Sequence, residues 1–350
     1  MQNIRVLVID DSAFMRKMIS DILNQDDQIQ VVGTARNGQD GIQKIKSLSP
    51  DVITLDVEMP VMNGIEALEK IMKECPVPAV MVSSVTKSGA DSTLQALHLG
   101  AIDFITKPSG SISLDIYKTE YEIISKVKQA ATVNIHQFHT KSTLPNPVPS
   151  QTDSTVSQKK KVVVIGVSTG GPRALQSLIP ALPDDFPAPI LIVQHMPAAF
   201  TKSLAERLNR QSKLSVKEAV NGEILSKGVV YIAAGDYHLE IKRTGTTLTA
   251  LVEQSEPVGG HRPSVNKLFE SAADLKYYEK YAVILTGMGS DGSKGIQILK
   301  EKDKGTKVIV ESEESAVIFG MPKAALNTNE VNHVVSIDQM GSLLSELIQK

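Results

Sequence analysis

The 350-residue sequence is short of several things, and each shortage excludes something. It has a single cysteine, Cys75, which rules out an internal disulfide framework; set between Glu74 and Pro76, it reads as a small packing residue. No apolar run approaches the ~18 residues that a membrane span needs. The chain opens MQNIRVLVIDDSAFMRK, without a basic-then-apolar signal, so a cytoplasmic protein with no membrane insertion is expected. Charge of one sign is also lacking. The net charge is -2, with 14 basic and 18 acidic side chains in residues 1–158 and 23 and 21 in residues 159–350. Neither half has the basic excess of a nucleic-acid-binding module.

What is present is 41% hydrophobic residues in a length that suits two domains with their own cores. The text ATVNIHQFHTKSTLPNPVPSQTDSTVSQ, residues 131–158, is rich in Ser, Thr, Gln, Asn and Pro and has no apolar periodicity. Such a stretch buries too little apolar surface to offset the entropy of ordering it. The expected division is therefore a first domain at 1–125, a linker at 126–158 and a second domain at 159–350.

In the first domain the apolar runs RVLVID, VITLDV, AVMVSS and IDFIT alternate with helical patterns. The first helix places Phe14, Met18 and Ile22 on one stripe, with Met15, Ile19 and Leu23 beside it. Strands separated by helices predict a doubly wound parallel sheet, an α/β fold. The second domain repeats the habit with KVVVIGVS, APILIVQHM, GVVYIAAG, YAVILTGM and KVIVES. It also inserts HLEIKR and LTALVEQ, which predict an added antiparallel hairpin.

Chemistry in an open parallel sheet collects past the carboxyl ends of its strands. In the first domain those ends carry Asp10, Asp11, Asp56, Ser83 and Lys107. Three converging carboxylates repel unless a hard cation joins them, and Mg²⁺ suits such a set of oxygens. Asp56 could then attack a phosphoryl group, with Lys107 on a phosphate oxygen and Ser83 donating a hydrogen bond. The plainer reading, solvated turn and capping residues, suits any one of them alone. With LDVEMPVMNG after Asp56 and the Lys107-Pro108 step, this half resembles a response-regulator receiver domain over its whole length. The resemblance implies a flavodoxin-like fold, phosphorylation of Asp56 by a histidine kinase, and Mg²⁺ on Asp10, Asp11 and Asp56. It also implies Ser83, Phe104 and Lys107 as the switch residues.

The second domain opens with Gly166-Val167-Ser168-Thr169-Gly170, a Gly-x-Ser-x-Gly pattern between an apolar run and a helix start at Pro172. It can present a serine nucleophile or cradle a phosphate. The dinucleotide fingerprint fails, because Ser168 stands where the second glycine should be, and no Walker lysine follows. A serine nucleophile needs a base, and His195 ends the next apolar run. A base needs a carboxylate; Asp291, in LTGMGSDG, ends another run, although a helix cap before Gly292 is an even alternative. His238 and His333 read as ordinary histidines, and His261, in GGHRPSVNK, as lining the site. An α/β-hydrolase order would need His333 as base, inside a predicted strand.

The order Ser168, His195, Asp291 and the segments GVSTGGP, QHMP, GHRPSVNKLFESAA, LTGMGSDG and FGMPKAAL resemble the chemotaxis protein-glutamate methylesterase family. The resemblance implies hydrolysis of γ-methyl glutamate on the cytoplasmic helices of methyl-accepting chemoreceptors, with release of methanol and some deamidation of glutamine. No cofactor is implied for the esterase reaction. The developing oxyanion would be held by backbone N–H groups at Thr169 and, by resemblance, Met288. Phosphorylation of Asp56 by the chemotaxis histidine kinase would relieve inhibition by the first domain. Two rivals, a receiver-controlled DNA-binding protein and a nucleotide-binding module using STGG as an anion loop, leave His195 and Asp291 unexplained, and the first also lacks the basic face it would need.

Overall fold

The computed structural model describes residues 3–107, 115–133, 135 and 159–349, the side chains of 115–119 excepted. The chain folds as two compact units, residues 1–141 and 142–350. The division falls inside the expected linker, whose residues 136–158 lie outside the described residues.

The first unit alternates strand and helix throughout. Strand β1 (Ile4–Ile9) leads to helix α1 (Ala13–Leu23), then β2 (Ile29–Ala35), α2 (Gly38–Leu48), β3 (Val52–Asp56) and α3 (Gly64–Glu74). It closes with β4 (Ala79–Ser83), α4 (Lys87–Leu99), β5 (Asp103–Thr106) and α5 (Asp115–Ala130). The five strands lie in the order β2-β1-β3-β4-β5, all parallel. β3 and β4 are buried at every position, as strands covered by helices on both faces must be. β2 escapes a reading by apolar runs because it is the edge strand: IQVVGTA is half-buried over four of its positions, and its register with β1 slips between Val6 and Leu7.

Two expectations are corrected here. Phe14 does not belong to the buried stripe of α1; it is 73% exposed, and the helix packs through Ile19, Ile22 and Leu23. At 3.6 residues per turn the row Phe14, Met18, Ile22 drifts by about 80° around the axis, so Ile22 meets the core while Phe14 turns to solvent at the end of α1 that the Ser12 hydroxyl caps, accepting the Met15 N–H at 3.3 Å. Helix α5 also continues to Ala130, past residue 125, because Val127 and Ala130 are both fully buried.

The second unit contains β6 (Lys160–Val167), α6 (Gly171–Leu178), β7 (Ile190–Gln194), α7 (Ala198–Gln211), β8 (Ser215–Glu218) and β9 (Val229–Ile232). The hairpin β10 (His238–Thr244) and β11 (Thr247–Glu253) follows, paired antiparallel from His238↔Glu253 to Thr244↔Thr247, as the inserted apolar text predicts. Then come α8 (Val265–Ala273), β12 (Tyr278–Ile284), α9 (Ser293–Lys302), β13 (Lys307–Glu311), α10 (Gly320–Leu326), β14 (His333–Val335) and α11 (Ile337–Gln349). Seven strands form one parallel sheet in the order β14-β13-β12-β6-β7-β9-β8. The short edge strand β8 shows no apolar run and is legible only from its pairing, whereas β14 falls in the strand expected around His333.

Alternation along the central strands sorts the core. Val162, Val164, Leu191, Val193 and Ile284 face a cluster with Leu268 and Phe269 of α8, Ile296 and Leu299 of α9, and Leu239 and Ile241 of the hairpin. The intervening Val163, Ile165, Ile190 and Ile192 are equally buried toward the layer of α6, α7 and α11. Burial on both faces is what makes these strands read as continuous apolar text. Gly166 lets α8 approach: a Cβ there would collide with Val265 Cγ1. Among the described residues no helix is long and apolar enough to cross a membrane.

Candidate active site

Strand order reverses at β6, which has β7 on one side and β12 on the other. The crevice of a doubly wound sheet opens past the carboxyl ends at such a point. Ser168 follows β6, His195 follows β7, and Thr286 to Asp291 follow β12. Val167 pairs with Gln194, and the His195 N–H donates to Val167 O at 3.2 Å, so serine and histidine leave adjacent strands at one level. The Gln194 side chain ties them further, donating to Ser168 O at 3.0 Å and His195 O at 3.3 Å.

The turn carrying Ser168 is held by its backbone. Ser168 N–H donates to Thr286 O at 3.0 Å, and Ser168 O accepts the Gly171 N–H at 2.8 Å. The left-handed residue is Gly170, at φ +79, and not the serine. The expected sharp bend is thus placed two residues after Ser168, where glycine bears it without strain. Pro172 sits in the first turn of α6, as expected. Gly287 brings the loop after β12 against the serine: a Cβ on it would lie 2.8 Å from Ser168 Cβ and 2.5 Å from Met321 Sδ. Thr169 and Met288 flank this contact. The Thr286 hydroxyl donates to Thr169 O at 2.9 Å, and Met288 Cα lies 3.2 Å from where a Cβ on Gly320 would be.

His195 Nε2 lies 2.9 Å from Asp291 Oδ2, with both side chains largely buried. An ionised carboxylate only accepts, so Nε2 carries the hydrogen and Nδ1 is left as the acceptor. Nδ1 is buried without a hydrogen-bond partner among the described residues, and the Ser168 hydroxyl makes no hydrogen bond among them. Asp291 accepts three more bonds: from the Ser264 hydroxyl at 3.0 Å, from Val265 N–H at 2.7 Å and from Asn266 N–H at 3.0 Å. Burial opposes ionisation of Asp291, but the His195 hydrogen bond and charge and the Asn266 and Val265 N–H groups hold its carboxyl below the ordinary value.

The alternative of a cap on the helix opening at Gly292 does not hold, but Asp291 does cap another helix while it bonds to His195. Asp291 caps α8, a helix 26 residues earlier, while α9 directly after it has no side-chain cap of its own. Asn266 returns the favour, its Oδ1 accepting Gly292 N–H at 3.0 Å and Gly295 N–H at 2.8 Å at the start of α9. Ser264 and Asn266 are site residues that apolar patterning misses; a polar pair opening a helix inside the GHRPSVNK text was the available signal. His238 is fully buried under them, bonded to Glu256 O at 3.1 Å and to the Ser264 N–H at 3.2 Å, which fits its expected ordinary role. His333 lies on β14, an outer strand separated from β6 by β13 and β12. His261 lines the site, its ring stacked on His195.

Two further residues underlie the rim. Thr286 N–H donates to Glu311 Oε2 at 2.7 Å, and Ser315 donates to Glu311 Oε1 at 3.0 Å. Burial pushes Glu311 up to about 7, against those two hydrogen bonds, with the Asp338 charge adding and Arg173 opposing. The folded protein therefore keeps a proton that the unfolded chain has released between pH 4.5 and 7, and stability falls as pH rises through that window. Glu311→Gln, which carries no charge, is expected to melt several degrees above the parent at pH 8, with the gap closing at pH 5; thermal melts at the two pH values check this.

In the first unit Asp10, Asp11 and Asp56 bring one carboxylate oxygen each within 4.8 Å of one another. Lys107 Nζ donates to Asp56 Oδ2 at 2.8 Å and stands 3.6 Å from Asp10 Oδ2. Burial, with the Asp10 charge adding, pushes the Asp56 carboxyl up to about 6 against the pull of Lys107. Asp10 Oδ2 is buried without a hydrogen bond. An anionic oxygen left in that state beside two other carboxylates fits a divalent cation such as Mg²⁺. The Ser83 hydroxyl is buried and donates to Gly89 O at 3.2 Å, while Phe104 is buried with Lys126 Nζ 5.1 Å from its ring centre.

Comparison with known proteins agrees with this division. Residues 163–344 match the CheB methylesterase family, and residues 6–115 match the response regulator receiver domain. A protein of Oceanobacillus iheyensis named protein-glutamate methylesterase/protein-glutamine glutaminase is 52% identical over 98% of this chain and 99% of its own. A Bacillus subtilis protein of the same name is 46% identical over 99% of both. The crystal structure of the Thermotoga maritima CheB methylesterase catalytic domain, 46% identical, matches 54% of this chain and 98% of that one with a TM-score of 0.52. With a family match over more than half its length and full-length relatives near 50% identity, the chain belongs to the CheB methylesterase family and carries a response regulator receiver domain ahead of its esterase domain.

Proposed function

We propose that the protein is a cytoplasmic serine hydrolase that removes methyl groups from glutamate γ-methyl esters on methyl-accepting chemoreceptors, and that phosphorylation of its receiver domain raises this activity. The observation that carries the reading is His195, tethered to Asp291 through Nε2 with a buried, unpartnered Nδ1, on the strand next to Ser168. Nδ1 accepts the Ser168 proton as Oγ attacks the ester carbonyl. Asp291 holds the tautomer and stabilises the imidazolium that forms. Backbone N–H groups at Thr169 and Met288 receive the negative charge on the carbonyl oxygen, each worth about 3 kcal/mol in the transition state. His195 returns the proton to the leaving methoxide, methanol departs, and water attacks the acyl-enzyme with His195 again as base. A glutamine substrate follows the same course with ammonia leaving, in keeping with the second half of the relatives' name.

In the receiver domain Asp10, Asp11 and Asp56 would hold Mg²⁺, whose charge offsets that of a phosphoryl group arriving on Asp56 from a histidine kinase. Lys107 binds a phosphoryl oxygen, and the Ser83 hydroxyl leaves Gly89 O to bind another. Movement of Ser83 and Phe104 transmits the change and relieves inhibition of the esterase domain. The test is methanol release from membranes bearing methylated receptors, with and without Mg²⁺ and a small acyl-phosphate donor. The expected result is release that the donor stimulates and that Asp56→Asn no longer lets it stimulate. Absence of methanol under all conditions overturns the hydrolase reading, and full stimulation of Asp56→Asn overturns the receiver's role.

A further inference from the structure

An imidazole tethered by one hydrogen bond can still swivel about its Cβ–Cγ bond. His195 is tethered in that way, through Nε2 to Asp291, and the nitrogen that must meet Ser168 has no bond to hold it. A second constraint is supplied by His261. Its ring lies parallel to that of His195, with a 2° angle between planes and 4.1 Å between centroids. Neither nitrogen of His261 makes a hydrogen bond among the described residues, so the contact uses the face of the ring and not its polar atoms.

The backbone presents this ring rigidly. Val258 and His261 exchange both backbone hydrogen bonds, at 3.0 and 3.1 Å, around Gly259 and Gly260 at φ +60 and +84. Two successive left-handed residues make the tightest hairpin turn, and glycine is the residue that takes both positions without strain. Arg262 closes the loop behind it, donating to Ser255 O at 2.9 Å.

We propose that His261 is a positioning residue for hydrolysis, a flat wall that holds the His195 ring with Nδ1 turned to the nucleophile. The inference rests on the hydrolase reading above and adds a member to its machinery. Burial, together with the neighbouring His195 and against the Asp291 charge, pushes His261 down to about 4. It is therefore neutral at working pH, and the imidazolium formed during attack meets a π face and no like charge.

Replacing His261 by Leu keeps the bulk and loses the flat face, whereas Phe keeps both. His261→Leu is expected to lower kcat for methanol release about 10–100-fold with KM changed less than about threefold, since a misdirected base acts on the chemical step. His261→Phe is expected within about fivefold of the parent, with both variants melting as the parent does. A parent that releases no methanol refutes the hydrolase reading itself. With an active parent, native kcat in His261→Leu refutes the positioning role alone. A Phe variant as impaired as Leu, or a rise in KM at constant kcat, also refutes it by making His261 a substrate contact.

Discussion

Ser168→Ala is expected to lower kcat for methanol release by about 10⁴-fold or more while leaving the protein folded and its KM for receptor nearly unchanged. The size follows from the proposed role: without the alcohol there would be no acyl-enzyme, and the proposed oxyanion donors would act only on direct attack by water. The selectivity follows from the structure. Every hydrogen bond that anchors residue 168 is made by its backbone, to Thr286, Gly171 and Gln194, so deleting Oγ removes no structural bond. Methanol assays paired with thermal melts separate the two effects. An alanine variant within about tenfold of the parent would remove Ser168 from the reaction, and a large drop in melting temperature would show that the hydroxyl serves the fold.

Asp291→Asn should be nearly as damaging and, unlike the serine change, should also destabilise. Four groups donate to this carboxylate: His195 Nε2, the Ser264 hydroxyl, and the N–H groups of Val265 and Asn266. An amide can accept on one side only. If its NH₂ faces Val265 and His195, the histidine must put its proton on Nδ1, where it cannot accept from serine. If it faces Ser264 and Asn266, the hydroxyl can turn but the Asn266 N–H cannot. Either way one backbone N–H at the start of α8 is left opposed to a donor, costing about 1–3 kcal/mol. The expected outcome is a kcat reduced about 10³–10⁴-fold and a melting temperature lower by about 3–10 °C. The fold's own dependence on this carboxylate has the same origin. Its depressed pKa means that its stabilisation is present above the unfolded value of 3.8 and lost as pH falls through the folded one. A variant that melted like the parent would show that the α8 cap is dispensable.

Strands buried on both faces leave an unmistakable trace in the text, and the runs ending at Asp10, Asp56, Ser83, Ser168 and His195 locate β1, β3, β4, β6 and β7 directly. β2 and β8 leave little trace, because an edge strand buries one side and has no reason to be apolar throughout. The same logic governs the site. The expected site residues Ser168 and His195 directly follow strands whose own pattern is strong, and Asp291 lies in the loop after a third, β12. Ser264, Asn266, Thr286 and Glu311 are not legible in that way, since each acts through a partner 25 or more residues away. Phe14 shows the opposite failure. It has the spacing of a stripe shared with Ile22, but a row of every fourth residue drifts by about 80° over two steps, so Ile22 is buried and Phe14 is not.

From its text alone this protein is two α/β units joined through a polar stretch, the first with an acidic strand-end cluster and the second with Ser168, His195 and Asp291 in an order that is not that of the α/β-hydrolases. Those properties reside in local composition and periodicity, which short-range physics sets. That Nε2 and not Nδ1 meets Asp291, that the same aspartate caps α8 while Asn266 caps α9, and that a second imidazole lies flat on the first were decided by the tertiary structure. Each depends on the direction of a side chain relative to an element far away in the chain, and only the reversal of strand order at β6 brings those directions together.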